Sequence, residues 1–184
     1  YAGLTPEAAT VCQDFLSSII DVERFPLMRL SSMTASETAK VMENTYRAVN
    51  IAFIDEWTKY AEAVGVDLYE VIDAIRVRPT HSNIRFPGLG VGGYCLTKDP
   101  AIAPAGAQQL HDLEGLNFPF SQLAMKVNHE MPLHTADRLI SLLGENINKK
   151  SILVLGVSYR PDIGDTRYSP TETLVRTLED NGAV

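Results

Sequence analysis

The chain has 184 residues, 45% of them hydrophobic, and a formal net charge of -7 at pH 7. That length suffices for one sizeable core, or for one domain and a piece of another. An acidic chain without a Lys/Arg cluster is a poor nonspecific partner for nucleic acid or an anionic membrane. No apolar run approaches the ~20 residues of a membrane span, and the first residues lack the basic and apolar regions of a secretory signal, so a soluble, cytoplasmic protein is expected. The two cysteines, Cys12 and Cys95, lie far apart in different contexts. Neither a disulfide framework nor a metal-ligand spacing is supported, and no metal site is expected. Residue 1 is Tyr, and the chain stops at Val184 directly after Asn181-Gly182, a turn that ought to lead into another strand. The sequence reads as an excised piece.

In chain order, Thr5-Pro6-Glu7 predicts a capped helix whose apolar pattern runs through Ala8, Val11, Phe15 and Ile19 and stops before Pro26. Thr34-Ala-Ser-Glu37 has the form of a capping box and opens an unbroken helical pattern of about thirty residues, through Tyr46, Phe53, Trp57 and Val64 to a C-terminal Gly65. At 1.5 Å per residue that helix is on the order of 45 Å long, and its middle is apolar on more than one face, which suits a dimer core. Asp67 caps a shorter helix reaching about Arg76, and residues 77–94, with Pro79 and Pro87, read as loop.

A further helix is expected to begin near Cys95, its start blurred by Pro100 and Pro104. Were it to begin at Leu96, Cys95 would sit on a positive dipole end. Another runs from Phe120 to Leu143, bent at Pro132 and closed by Gly144-Glu-Asn146. The period then changes. Residues 151–156, ending in Gly156, read as a strand, and Ser169 to Asp180 as an amphipathic helix. The expected fold is therefore mainly α. A central helical dimerisation domain over residues 1–146 is followed, over 147–184, by the first strand-loop-helix of a truncated Rossmann-like α/β domain.

Two clusters carry chemistry. Gly88-Leu-Gly-Val-Gly-Gly-Tyr-Cys-Leu-Thr-Lys-Asp99 sets a lone thiol among glycines, with an ammonium and a carboxylate three and four residues on. A nucleophilic thiol needs a positive neighbour, and glycines let a ligand lie close to the backbone; a plain turn around a small packed cysteine uses the same residues. On the long helix Lys40 and Asn44 share one face with Glu37 and Arg47. Such a stripe either faces water or presents donors to a developing oxyanion. Two other classes remain alongside an enzyme of this kind, a non-catalytic helical dimerisation module and a cysteine hydrolase. The hydrolase needs an oriented histidine base, and the spacing of His81 to Cys95 does not supply one.

Glu37-Thr-Ala-Lys40-Val-Met-Glu-Asn44, then Gly-Val-Gly-Gly-Tyr-Cys95-Leu-Thr-Lys-Asp99, then Gly156-Val-Ser-Tyr-Arg-Pro-Asp-Ile-Gly-Asp165-Thr-Arg-Tyr-Ser-Pro170 together resemble the nucleotide-sugar 6-dehydrogenases, the UDP-glucose dehydrogenase family. The resemblance implies NAD-dependent, two-step oxidation of the C6 alcohol of a UDP-hexose to a uronic acid. Cys95 would form the thiohemiacetal and thioester, Lys40 and Asn44 would stabilise the oxyanion and hold a water, and Asp99 would orient or deprotonate that water. Gly92, Ile84 and Phe86 are implied substrate contacts, an arginine (Arg78, or Arg76) would reach the substrate of the partner subunit, and Tyr159 and Arg160 would approach it from the last motif. Asp165 and Arg167 read as a structural brace, and the four histidines match no catalytic position. The resemblance also implies a homodimer through the long helix. It puts the main NAD site in an N-terminal domain missing from these residues, so the chain alone is expected to be inactive. The sugar stays open between UDP-glucose and a UDP-N-acetylhexosamine.

Overall fold

A computed structural model describes residues 1–144 and 146–184. Among them the fold is mainly helical, with α1 Pro6–Ile19, α2 Met33–Val64, α3 Leu68–Arg76, α4 Ile102–His111, α5 Pro119–Leu142 and α6 Pro170–Asp180. Contacts divide the chain into two compact units, Tyr1–Glu43 and Asn44–Val184.

In the first unit α1 starts where its cap requires, with Thr5 Oγ1 accepting the Ala8 N–H at 3.2 Å and Pro6 in the first turn. The residues around it close back on residue 1. The Tyr1 nitrogen donates to the Met28 carbonyl, the Leu30 N–H to the Tyr1 carbonyl, and the Tyr1 hydroxyl to Gln13. The expected apolar stripe is not a core face, however. Ala9 is the only buried residue that α1 contributes, while Val11, Phe15 and Ile19 stand exposed. Helical periodicity reports a stripe, and only tertiary structure says what covers it.

The long helix is present at its expected length, 32 residues, but its cap is Ser32, whose Oγ accepts the Ala35 N–H at 3.0 Å. The Thr34 box is therefore not the N-terminus. A hydroxyl two residues earlier bonds one of the free amides of the first turn and starts the helix two residues sooner. The C-terminus follows the expected device, with Gly65 at φ +74° and the Val66 N–H returning to the Ala61 carbonyl. Asp67 caps α3 through the Tyr69 N–H.

In the second unit small residues are buried on both α2 and α5. Ala48 and Ala52 of α2 and Ala124 of α5 are buried, and the Asn128 Nδ2 of α5 donates to the α2 carbonyl of Ala48 at 3.0 Å. The His134 ring and Glu62 carboxylate link the same two helices at 2.9 Å. A second cluster joins α5 and α6 through Ala136, Leu174 and Leu178, with Ile147 and Ala183. Pro132 lies inside α5, and Gly144, at φ +90°, follows it. Glu145, part of the expected closing turn, lies outside the described residues.

Two expectations need correction. The segment at Cys95 is no helix start: residues 94–98 form turns, Asp99–Ala101 is a short 3-10 helix, and α4 begins only at Ile102. Pro100 lies in the 3-10 turn, and α4 begins after it, with Pro104 in the first helical turn, where the missing N–H has no intrahelical partner to lose. Residues 151–156 carry no strand. Ile152 and Val154 pack on the α5–α6 cluster while Leu153 and Leu155 are exposed. The Val184 N–H donates to the Lys150 carbonyl and the Ile152 N–H to the Val184 carbonyl, both at 2.9 Å, which is the pattern of one parallel pair. A strand exists only through its ladder, and a single pair does not make one.

Replacing Asn128 by Ala should cost about 1 kcal/mol, because the Ala48 carbonyl, which keeps its intrahelical bond, loses only the side-chain donor; urea unfolding checks it.

Candidate active site

Cys95 is exposed on the turn that leads into the 3-10 helix Asp99–Ala101. Its carbonyl accepts the Asp99 N–H at 2.9 Å and the Lys98 N–H at 3.2 Å, and Thr97 Oγ1 donates to the Gly93 carbonyl at 2.8 Å. The turn is thus built from its own backbone, and it places Asp99 inward. Asp99 is 7% exposed and accepts from the Asn44 Nδ2 of α2 at 2.6 Å and from the Lys98 ammonium at 2.5 Å. Asn44, 1% exposed, in turn accepts from Arg47 through Oδ1 at 3.5 Å. The hydrogen bond from Lys98 to Asp99 holds the Lys98 ammonium above its ordinary value, opposed by desolvation and helped by the fields of Asp99, Tyr94 and Cys95.

Of the residues singled out by sequence, Asn44, Cys95 and Asp99 therefore belong to one connected network. Of that stripe Asn44 itself does not face water, being buried and donating to Asp99, whereas Glu37 and Lys40 are exposed. Lys40 belongs to the first unit, where its ammonium lies 2.8 Å from Glu43.

The loop before the cysteine has its own brace. Arg76 Nε donates to the Ile84 carbonyl at 3.1 Å, its guanidinium lies 4.2 Å from the Phe86 ring centroid, and Phe86 stacks on Tyr69 at 5.4 Å and 20°. Ile84 and Phe86 are thereby held, and Arg76 is engaged within its own chain while Arg78 is exposed.

Segment 159–170 lies on the glycines. A Cβ on Gly92 would stand 2.5 Å from the Tyr159 Cβ, one on Gly93 2.7 Å from the Tyr159 ring, and one on Gly90 2.8 Å from the Pro170 Cβ. These positions are glycine because Tyr159 and Pro170 occupy the space a side chain would need. The Gly93 N–H donates to the Arg167 carbonyl, and Arg167 grips Asp165 with Nε and a terminal nitrogen at 2.7–3.1 Å. The Arg167 side-chain and backbone N–H groups lower the Asp165 carboxyl to about 2. Arg160 is exposed and lines a separate open cavity of about 570 Å³ with Gly156, Ser158 and Asp162, whereas Tyr94 and Lys98 line one of about 380 Å³ with Asn128 and Tyr168. Tyr94 and Tyr168 were not among the sequence candidates. Their rings lie 6.3 Å apart, and the only signal was their place beside Cys95 and Arg167.

The glycine loop at 88–93 follows no strand, and Tyr159 and Pro170 fill the space beside Gly90, Gly92 and Gly93, so this loop offers a pyrophosphate no free glycine turn.

Residues 34–130 match the central-domain model of the UDP-glucose/GDP-mannose dehydrogenase family. The chain belongs to that family. It is similar to the UDP-N-acetyl-D-mannosamine dehydrogenase of Methanocaldococcus jannaschii, 35% identical over 153 residues covering 83% of this chain and 33% of that protein. The solved UDP-D-ManNAc dehydrogenase of Pyrococcus horikoshii superposes with a TM-score of 0.83 at 30% identity over 98% of this chain and 41% of that one. A UDP-glucose dehydrogenase of Pyrobaculum islandicum superposes equally, TM-score 0.83, at 26% identity over 98% of this chain and 40% of the other. The chain thus spans a third to two fifths of the length of these relatives. Among the described residues no helix is long and apolar enough to cross a membrane, and no cluster of metal-ligating side chains occurs.

Two outcomes follow from the docked segment. Gly92→Ala should displace Tyr159 and loosen the segment, raising the proteolysis rate at residues 159–168. Because the Asp165 carboxyl is depressed from 3.8 to about 2, the stability it contributes is complete above pH 3.8 and is lost as pH falls through about 2. An Asp165→Asn variant should lack that acid limb in unfolding midpoints measured across the same range.

Proposed function

We propose that this chain is the catalytic centre of an NAD-dependent nucleotide-sugar 6-dehydrogenase that oxidises the C6 alcohol of a UDP-hexose to the carboxylate. The observation that carries the reading is the turn of Cys95: its carbonyl accepts the Asp99 N–H, and the buried Asp99 carboxylate is bound by the Asn44 carboxamide of α2, 55 residues before it in sequence, while the thiol side is exposed.

Oxidation of an alcohol to an acid removes two hydrides from C6 and consumes one water. Two NAD molecules, one for each hydride, would supply the oxidant. Cys95 Sγ adds to the C6 aldehyde carbon to give a thiohemiacetal, whose oxidation leaves a thioester that water cleaves, returning the thiol. The water needs a base or an orienting acceptor, the role given to Asp99; the oxyanion needs donors, the role given to Lys40 and Asn44. Held by Arg76 and Tyr69, Ile84 and Phe86 form a firm wall for the nucleotide-sugar, with Gly92, Tyr159 and Arg160 as the remaining contacts. Exposed Arg78 suits the arginine that reaches across a dimer, since Arg76 is already engaged.

The dimer is assigned to α2, whose Phe53, Trp57 and Tyr60 form a contiguous, half-exposed aromatic run. Residues 1–146 are then the central domain and 147–184 the opening of a UDP-binding α/β domain, in keeping with the parallel pair at Val184. The N-acetylhexosamine names of two of the relatives described make a UDP-N-acetylhexosamine the first substrate to try.

The deciding assay is NADH production by the full-length protein supplied with UDP-N-acetylmannosamine, UDP-N-acetylgalactosamine or UDP-glucose. Net oxidation to the acid should vanish in Cys95→Ser, by roughly a thousandfold or more, and the 184-residue chain alone should give no turnover. Full activity in Cys95→Ser would refute the reading. Trp57→Glu should convert the dimer to monomer in sedimentation velocity at micromolar concentration.

A further inference from the structure

Asn128 of α5 is 6% exposed, yet only one end of its amide is satisfied. Its Nδ2 donates to the Ala48 carbonyl of α2 at 3.0 Å, while its Oδ1 is buried with no hydrogen-bond partner among the described residues. A buried acceptor without a donor weakens a fold, and an apolar side chain would avoid that cost. The Ala48 carbonyl has little need of the donor, because it already accepts within its own helix. Stability is therefore a weak reason for an amide at residue 128, and position is a stronger one. Ala48 lies one helical turn after Asn44. The bond from Asn128 fixes against α5 the same turn of α2 whose Asn44 side chain reaches Asp99 at 2.6 Å. Asp99–Ala101 packs on α5 as well, and Thr97 and Lys98 line the cavity of about 380 Å³ together with Asn128. Three elements thus close on one another: α5 supports the cysteine turn, α2 carries Asn44, and the two amide hydrogen bonds complete the triangle.

We infer that Asn128 is a positioning residue for the Asn44–Asp99 pair, setting α2 in register with the helix that supports the cysteine turn. The inference rests on the roles proposed for Asp99 and Asn44 in the reaction. Asn128 itself touches no reacting atom, and no bond is made or broken at it. A misplacement of about 1 Å at a catalytic group costs a large factor in rate, so a contact of small weight for stability carries a large one for turnover.

The test is a double-mutant cycle in the full-length protein. NADH production is read with whichever of UDP-N-acetylmannosamine, UDP-N-acetylgalactosamine and UDP-glucose the wild type oxidises, and urea unfolding is read on the same samples. Asn128→Ala should lower kcat by roughly tenfold with KM for the nucleotide-sugar unchanged, under conditions where its urea curve shows it fully folded. Added to Asp99→Asn, the same substitution should cause no further loss, because the group it positions is already gone. A plain packing role predicts either a wild-type kcat in the folded Ala variant or the same loss repeated in the Asp99→Asn background, and either result overturns the inference. Should the Ala variant fail to fold, Asn128→Leu decides, since it refills the volume and removes the orphan acceptor. The same fall in kcat supports the inference there, and a wild-type kcat overturns it. Undiminished turnover in Asp99→Asn would instead defeat the role proposed for Asp99 itself, which separates the two failures.

Discussion

The Asp99 carboxylate is the interaction on which the site depends. Nearly inaccessible to water, it needs partners for its oxygens, and it finds them in Asn44 of α2 and in Lys98 of its own turn. Burying a carboxylate is tolerated only when such partners are in place. The same contact that stabilises Asp99 therefore ties the cysteine turn to the long helix. Cys95, whose carbonyl accepts the Asp99 N–H, follows Asp99 into position and is left exposed on the outer side of the turn.

Around that tie the remaining contacts act as stays. Arg76 and Tyr69 hold the loop before the glycines, and segment 159–170 lies across the glycines themselves. The glycines thus serve packing. Tyr159 and Pro170 take up the volume their missing side chains leave, and the close approach lets the Gly93 amide meet the Arg167 carbonyl. Two segments more than sixty residues apart become one surface bearing Tyr94, Cys95, Lys98, Arg167 and Tyr168. The apolar groups on α1 and the aromatic run on α2 are not consumed in this way. Both leave hydrophobic area open on this chain.

Local chemistry made much of this legible in advance. Caps at Thr5, Asp67 and Ser169, the left-handed Gly65 and the period of the long helix are each decided within a few residues, so α1, α2, α3, α5 and α6 could be read directly. The Cys95-Leu-Thr-Lys-Asp99 spacing likewise announced a thiol with an ammonium and a carboxylate at hand. Where the reading slipped, competition between neighbours was the cause. Ser32 capped α2 through the Ala35 amide ahead of Thr34, and Pro100 held α4 past the point where its apolar pattern begins.

What the sequence by itself determined was thus the set of helices, the family motifs and the identity of the reactive groups, since each depends on bonds or spacings a few residues long. Tertiary structure alone decided that Asn44 turns inward to Asp99 across 55 residues, that the glycines admit Tyr159 and Pro170, that Arg167 joins Lys98 at the Tyr94 ring, and that residues 151–156 pair only at Val184. The physical reason is the same in each case. Burial, close packing and ladder formation depend on which distant surfaces meet, and local periodicity carries no record of the partner.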